Sequence, residues 1–278
     1  WRSGRCAAGG GSLRSLACAD SGEPGLPAVL FLHGFMGSSG DWEGVAASLR
    51  GSFRTLAADL PGHGASVGLP PERYTMEGAA GAVLGLLDGL GVGRCALCGY
   101  SMGGRLALYL ALRSPGRFSA LLLESASPGL EDPAERAARR RADEERAREL
   151  EGGDLEGFVG RWYRRPLFAS LARRGELAGE LARRRLRNDP GELARSLRGM
   201  GTGRQPPLWG ALPALAMPAL AVAGELDPKF AALARRMERE APPLRAAVVP
   251  GAGHNVHLER PGAFGRLLRE FLEERGLE

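Results

Sequence analysis

Lysine is almost absent: of 37 basic residues only Lys229 is a lysine, leaving 36 arginines. A net charge of +5 and a pI near 9.4 invite a nucleic-acid reading. A skew this complete looks like coding composition more than selection for phosphate contacts, and no nucleic-acid partner is expected. Each arginine must instead be justified by its position, since most on helix faces are simply solvated. Cysteine is scarce, with four in the chain. Cys95 and Cys98 stand in one apolar run, where an i, i+3 pair on a strand points to opposite faces and lacks the helix start that activates a redox C-x-x-C. They read as core residues, a usage that fits a reducing compartment. No apolar run approaches the roughly 18 residues of a membrane span. With 44% hydrophobic and 25% charged residues, 278 residues suffice for one sizeable core with a subdomain.

Glycine is abundant at 42 residues, and its placement matters more than its number. Gly99-Tyr100-Ser101-Met102-Gly103-Gly104 follows the apolar run 95–98 and opens a helical stretch over 105–112. Ser101 therefore sits at a strand-to-helix elbow, where flanking residues without a Cβ are needed because strand and helix crowd together. A nucleophilic serine needs a base and an orienting acid, which in this arrangement follow later, acid first. Residues 218–224 read as a buried parallel strand, and Asp227 leaves its C-terminal end, where ligand sites of parallel sheets lie. Glu225 and Glu124 are rival acids. His254 follows another short strand (246–249) on the Gly-rich loop Pro250-Gly251-Ala252-Gly253. Upstream, the strand 28–32 ends in His33-Gly34-Phe35, so the N–H groups of Phe35 and Met102 are expected to form an oxyanion hole. His33 and His63 read as turn-stabilising residues.

Strands near residues 28, 54, 94, 119, 219 and 245 alternate with helical stretches near 41, 76, 102, 230 and 261. This alternation predicts an α/β fold with a mostly parallel, doubly wound sheet. It breaks between about 129 and 210, an Arg/Glu/Ala/Leu-rich helical segment expected to form a cap over the C-terminal edge of the sheet. The domains are then core 1–128, cap 129–210 and core 211–278. Within 1–19, either a linker or transit remnant, or a first edge strand at 12–19, fits the residues; the two stay open.

The chain resembles the α/β-hydrolase superfamily. Within it the similarity is to 2-succinyl-6-hydroxy-2,4-cyclohexadiene-1-carboxylate synthases, lyases of the menaquinone and phylloquinone pathway. Matching segments span residues 30–272 and include Leu32-His33-Gly34-Phe35-Met36-Gly37, the elbow, Glu124-Ser125-Ala126-Ser127-Pro128-Gly129-Leu130, Trp162-Tyr163 and Gly253-His254-Asn255. The resemblance implies elimination of pyruvate with Ser101, His254 and Asp227 catalytic, and no metal or organic cofactor. It implies a small polycarboxylate substrate bound by Arg105, Arg139 and Arg185, with Tyr100, Trp162 and Tyr163 lining the pocket. The expected location is cytoplasmic for a bacterial source and plastid for a photosynthetic eukaryote, and the chain fits a segment of a multidomain quinone-pathway polypeptide. A carboxylesterase, thioesterase or carbon-carbon hydrolase is the alternative enzyme. A non-catalytic ligand-binding member of the fold is disfavoured by the intact Ser-Asp-His set, and an apolar ester by the arginines.

Overall fold

A computed structural model describes residues 2–4 and 15–274. In chain order the first elements are β1 (Arg2–Gly4), β2 (Cys18–Asp20), β3 (Ala28–Leu32), α1 (Glu43–Ser48), β4 (Arg54–Ala58), α2 (Met76–Gly89), β5 (Cys95–Tyr100), α3 (Met102–Arg113) and β6 (Phe118–Glu124). Five helices follow: α4 (Pro133–Glu151), α5 (Leu155–Tyr163), α6 (Ala169–Ala172), α7 (Gly175–Arg185) and α8 (Pro190–Met200). The chain then returns to β7 (Ala219–Gly224), α9 (Pro228–Glu240), β8 (Leu244–Val249), α10 (Val256–Glu259) and α11 (Pro261–Glu273).

The strands form one eight-stranded sheet in the order β1-β2-β4-β3-β5-β6-β7-β8. Pairing is antiparallel at β1-β2 and β2-β4 and parallel from β4 to β8. β5 and β7 are buried along their whole length because helices cover both sheet faces. Successive side chains feed opposite cores. Cys95 and Leu97 pack with α2 and α3 residues such as Val83 and Leu106, whereas Ala96 and Cys98 pack with Trp42, Phe264 and Phe271. Cys18, Cys95 and Cys98 are buried, and burial pushes the Cys95 thiol up to about 12.

The N-terminal edge departs from a strand over 12–19. Residues 12–14 lie outside the described residues, and the Ala17 N–H donates to Ser66 Oγ at 2.8 Å, so the ladder starts at Cys18. Of the segment read as linker or transit remnant, residues 2–4 pair with β2. Residues 1 and 5–14 are not described.

Residues 125–218 contain no strand. α4 starts at an Asp132 cap whose side chain accepts the Ala134 N–H, followed by Pro133 in the first turn. The insertion carries its own small core, in which Ala147, Leu150, Phe158, Leu193 and Leu197 close over Met36 from the loop after β3. This joins the helices to the sheet's C-terminal edge. The strand order reverses about β3, so the crevice between the ends of β3 and β5 is where such sheets place ligands.

Candidate active site

Ser101 occupies the turn between β5 and α3 with φ 50° and ψ −106°, a region costly for a residue with a Cβ. The surroundings over-determine it. The Ser101 N–H donates to Glu124 O at 2.8 Å, and its carbonyl accepts the Arg105 N–H at 3.0 Å. A Cβ on Gly103 would stand 2.3 Å from Leu32 O, and one on Gly99 2.5 Å from Gly103 O, so α3 can approach β3 and β5 only through glycine.

His254 arrives on the loop after β8, with Nδ1 2.7 Å from Asp227 Oδ2 and Nε2 3.3 Å from Ser101 Oγ. Asp227 is held by a second role, since its Oδ1 caps α9 by accepting the Phe230 N–H at 3.3 Å. The imidazole is enclosed by Phe230, Tyr100 and Phe168 with ring centroids 4.6, 5.5 and 5.6 Å away. Buried Glu259 accepts the Gly253 N–H at 3.1 Å and the Ser170 hydroxyl at 3.1 Å, fixing the loop against α6. The rival acids are engaged elsewhere. Glu124 binds His257 Nδ1 at 2.7 Å, and Glu225 accepts the Gly251 N–H at 2.9 Å.

His33 and His63 are wholly buried. His33 Nε2 accepts the Leu60 N–H at 2.9 Å, tying the loop after β3 to that after β4, and His63 Nδ1 lies 3.1 Å from Pro61 O. Burial lowers both pKa values, which keeps the imidazoles neutral.

Ser101, Met102, Phe35 and His254 border a cavity of about 820 Å³ between the sheet edge and α4, α5 and α8. Arg105, Arg139 and Trp162 line the same cavity. Arg105 is buried, its Nη1 3.5 Å from Gln205 Oε1, and burial together with Arg139 pulls its pKa down to about 10. It therefore stays charged at neutral pH. Arg139 Nε donates to Asp143 Oδ1 at 2.8 Å, and Arg146 shares the same oxygen at 2.9 Å.

Tyr100, Tyr163 and Arg185 border a crevice of about 20 Å³ that shares Phe35, Ser101, Trp162 and Phe168 with that cavity. Arg185 is 2% exposed, pairs with Asp41 at 2.8 Å and donates from Nε to Tyr163 Oη at 3.0 Å. Asp41 and Tyr163 thus hold its guanidinium in place beside the site. Arg165, Lys229 and Arg236 also border the large cavity, although no local pattern marks them among the other basic residues, apart from Lys229 being the only lysine. Among the described residues no group of three or more His, Cys, Asp or Glu is placed to hold a metal ion. Nor is any helix there long and apolar enough to cross a membrane.

The fold and this site define an enzyme of the α/β hydrolase class, and the family described as alpha/beta hydrolase fold matches residues 27–261. A Bacillus subtilis (strain 168) protein provisionally named 2-succinyl-6-hydroxy-2,4-cyclohexadiene-1-carboxylate synthase is 40% identical over 92% of this chain and 94% of its own. The synthase of that name from Enterobacter sp. (strain 638) is 34% identical over 92% and 95%. Protein PHYLLO, chloroplastic, of Arabidopsis thaliana is 36% identical over 88% of this chain, which corresponds to 15% of that longer protein. The structure of MenH from S. aureus aligns with a TM-score of 0.89 at 31% identity, covering 95% of this chain and 100% of that one. The chain belongs to the 2-succinyl-6-hydroxy-2,4-cyclohexadiene-1-carboxylate synthase family.

Proposed function

We propose that the protein is a carbon-oxygen lyase that eliminates pyruvate from an enolpyruvyl cyclohexene carboxylate, forming 2-succinyl-6-hydroxy-2,4-cyclohexadiene-1-carboxylate in menaquinone or phylloquinone biosynthesis. The observation that carries this reading is Arg105. A buried guanidinium with no carboxylate at ion-pair distance among the described residues borders the same cavity as Ser101 and His254. Burying an unpaired ion costs several kcal/mol even after relaxation. A polycarboxylate offsets that cost, and an uncharged ester does not.

In this reading His254 takes the Ser101 proton as the Ser101 oxygen removes the proton beside the succinyl ketone. The C–H electrons pass into the ring, a new double bond forms, and the carbon-oxygen bond to the enolpyruvyl group breaks. Its electron pair leaves with the three-carbon acid, which takes up a proton and is released as pyruvate. Asp227 holds Nδ1–H and so directs Nε2 at Ser101. The N–H groups of Phe35 and Met102 would stabilise the enolate oxygen. Residues 129–210 act as a cap that selects the substrate, while core segments 1–128 and 211–278 carry the chemistry. A hydrolase remains the second reading because the 3.3 Å approach of His254 Nε2 to Ser101 Oγ suits acyl transfer equally.

Pyruvate release from the enolpyruvyl precursor tests the proposal. Ser101→Ala and His254→Ala should each lose at least about 100-fold in kcat with the fold retained. Asp227→Asn should also be crippling because it misdirects the imidazole tautomer, while Glu225→Gln remains active. Near-normal release by either the serine or the histidine variant sinks the mechanism. Ester turnover without pyruvate release by the wild type favours the hydrolase.

A further inference from the structure

Among the described residues only three other than glycine have positive φ, and two of them are serines with nearly the same value, Ser101 at 50° and Ser125 at 47°. The match has a topological cause. Tyr100 at the end of β5 pairs with Glu124 at the end of β6, so the two serines stand one residue beyond matched positions on neighbouring parallel strands, which run about 4.8 Å apart. Each N–H donates to a main-chain carbonyl of the next strand at 2.8 Å, Ser101 to Glu124 and Ser125 to Val222. Both residues border the large cavity.

At Ser101 the strain sets a hydroxyl beside His254. At Ser125 the fold draws no such benefit from the side chain. A glycine would make the same bend freely, so what serine adds at 125 is a hydroxymethyl group. The residue is 2% exposed, and its Oγ has no hydrogen-bond partner among the described residues. Buried hydroxyls are ordinarily paired, and strained backbone of this kind gathers where ligands are held. Ser127 on the same cavity differs, because its Oγ accepts the Gly129 N–H at 3.1 Å.

The sheet order β3-β5-β6 puts Phe35, which follows β3, and Ser125, which follows β6, on opposite flanks of Ser101. A ligand oxygen held by the Phe35 N–H therefore lies away from Ser125, and the second hydroxyl faces a different part of the same ligand. Rotation about one side-chain dihedral, with three staggered positions, suffices to aim it. We propose that Ser125 is a ligand-binding residue of this cavity, whose hydroxyl donates a hydrogen bond to a hydroxyl or ether oxygen of the bound ring on the flank of Ser101 away from Phe35. The ligand's turnover rests on the lyase reading, and its binding is read separately.

Titration calorimetry of the enolpyruvyl precursor against Ser101→Ala reads affinity without turnover, and pyruvate release by proteins with Ser101 intact reads catalysis. Adding Ser125→Gly or Ser125→Ala to Ser101→Ala should raise Kd about 5- to 10-fold, the effect of one lost hydrogen bond. With Ser101 intact, both variants should raise KM by a similar factor with little change in kcat, since the contact is made in ground and transition states alike. Ser125→Gly should melt no lower than the wild type because it sheds the strained φ, whereas Ser125→Ala keeps the strain and melts below Ser125→Gly. The proposal is overturned if either variant keeps the unsubstituted affinity, if Gly and Ala differ in Kd so that backbone conformation governs binding, if Ser125→Gly melts well below the wild type, or if the precursor does not bind Ser101→Ala. A Kd that depends on Ser125 in a protein that releases no pyruvate would instead overturn the lyase reading and leave Ser125 standing.

Discussion

Gln205 is the only glutamine of the chain, and it is what buried Arg105 touches. Its Nε2 donates to Ser127 O at 2.9 Å, which fixes the amide so that Oε1 faces the guanidinium. A neutral acceptor orients Arg105 without cancelling its charge, whereas a carboxylate there would compete with the substrate for it. Arg105→Ala should cost roughly 2 to 4 kcal/mol in kcat/KM for the polycarboxylate precursor. Gln205→Glu should approach that loss, and Gln205→Met should lose less. Dividing each value by the variant's rate on an uncharged activated ester, where one is turned over, cancels general damage to the elbow. A fully active Gln205→Glu would show that the charge of Arg105 is not reserved for the ligand.

At the scale of elements, the elbow depends on contact between backbones rather than on side chains. A methyl on Gly103 would meet Leu32 O at 2.3 Å and His33 O at 2.5 Å, so β3 and α3 would have to separate. Gly103→Ala should therefore destabilise by at least about 1 to 3 kcal/mol, the usual range for overpacking. Gly85→Ala, in the interior of α2 where a Cβ meets nothing within 4 Å, should stabilise by about 0.5 to 1 kcal/mol. Urea unfolding of both variants checks this, and equal midpoints would contradict the crowding account. Strands and elbow were legible in the sequence because apolar runs ending in glycine have few other uses, and Asp227 and His254 were legible because each leaves a strand end. The insertion's side chains were not. α4 is polar all round, with only Asp143, Ala147 and Leu150 buried, so Arg136, Arg139, Arg140 and Arg141 look alike until Asp143 turns inward and takes Arg139. The partners of Arg185 and Arg105 lie 144 and 100 residues away, beyond the reach of any local pattern.

At the scale of the whole molecule, Asp41 and Arg185 clamp the insertion onto the sheet edge. Asp41 stands in the turn after β3 and Arg185 ends α7, and both side chains are 3% exposed. Nearby, Asn188 donates to Met36 O at 2.9 Å, reinforcing the same seam. Arg185→Ala leaves the buried Asp41 carboxylate with only the part-exposed Arg184 at 4.0 Å, a loss of about 3 to 5 kcal/mol. At roughly 2 to 4 °C per kcal/mol for a chain of this size, the melting point should fall by about 6 to 20 °C. Asp41→Asn alone should cost a similar amount, and Asp41→Asn combined with Arg185→Met should cost less than the sum, because neither charge is then stranded. The pH dependence has a definite sign. Burial alone would raise the Asp41 pKa, but the Arg185 charge and hydrogen bonds outweigh it and the net direction is down. A carboxyl with a depressed native pKa stabilises above its unfolded value and loses that contribution as pH falls through the native one. The stability gap between wild type and Asp41→Asn should thus be fully present above about pH 5 and close as pH falls below about 4. A gap that persists unchanged into strong acid, or an Arg185→Ala variant that loses activity with its melting point intact, would mean that Arg185 serves the ligand and not the seam.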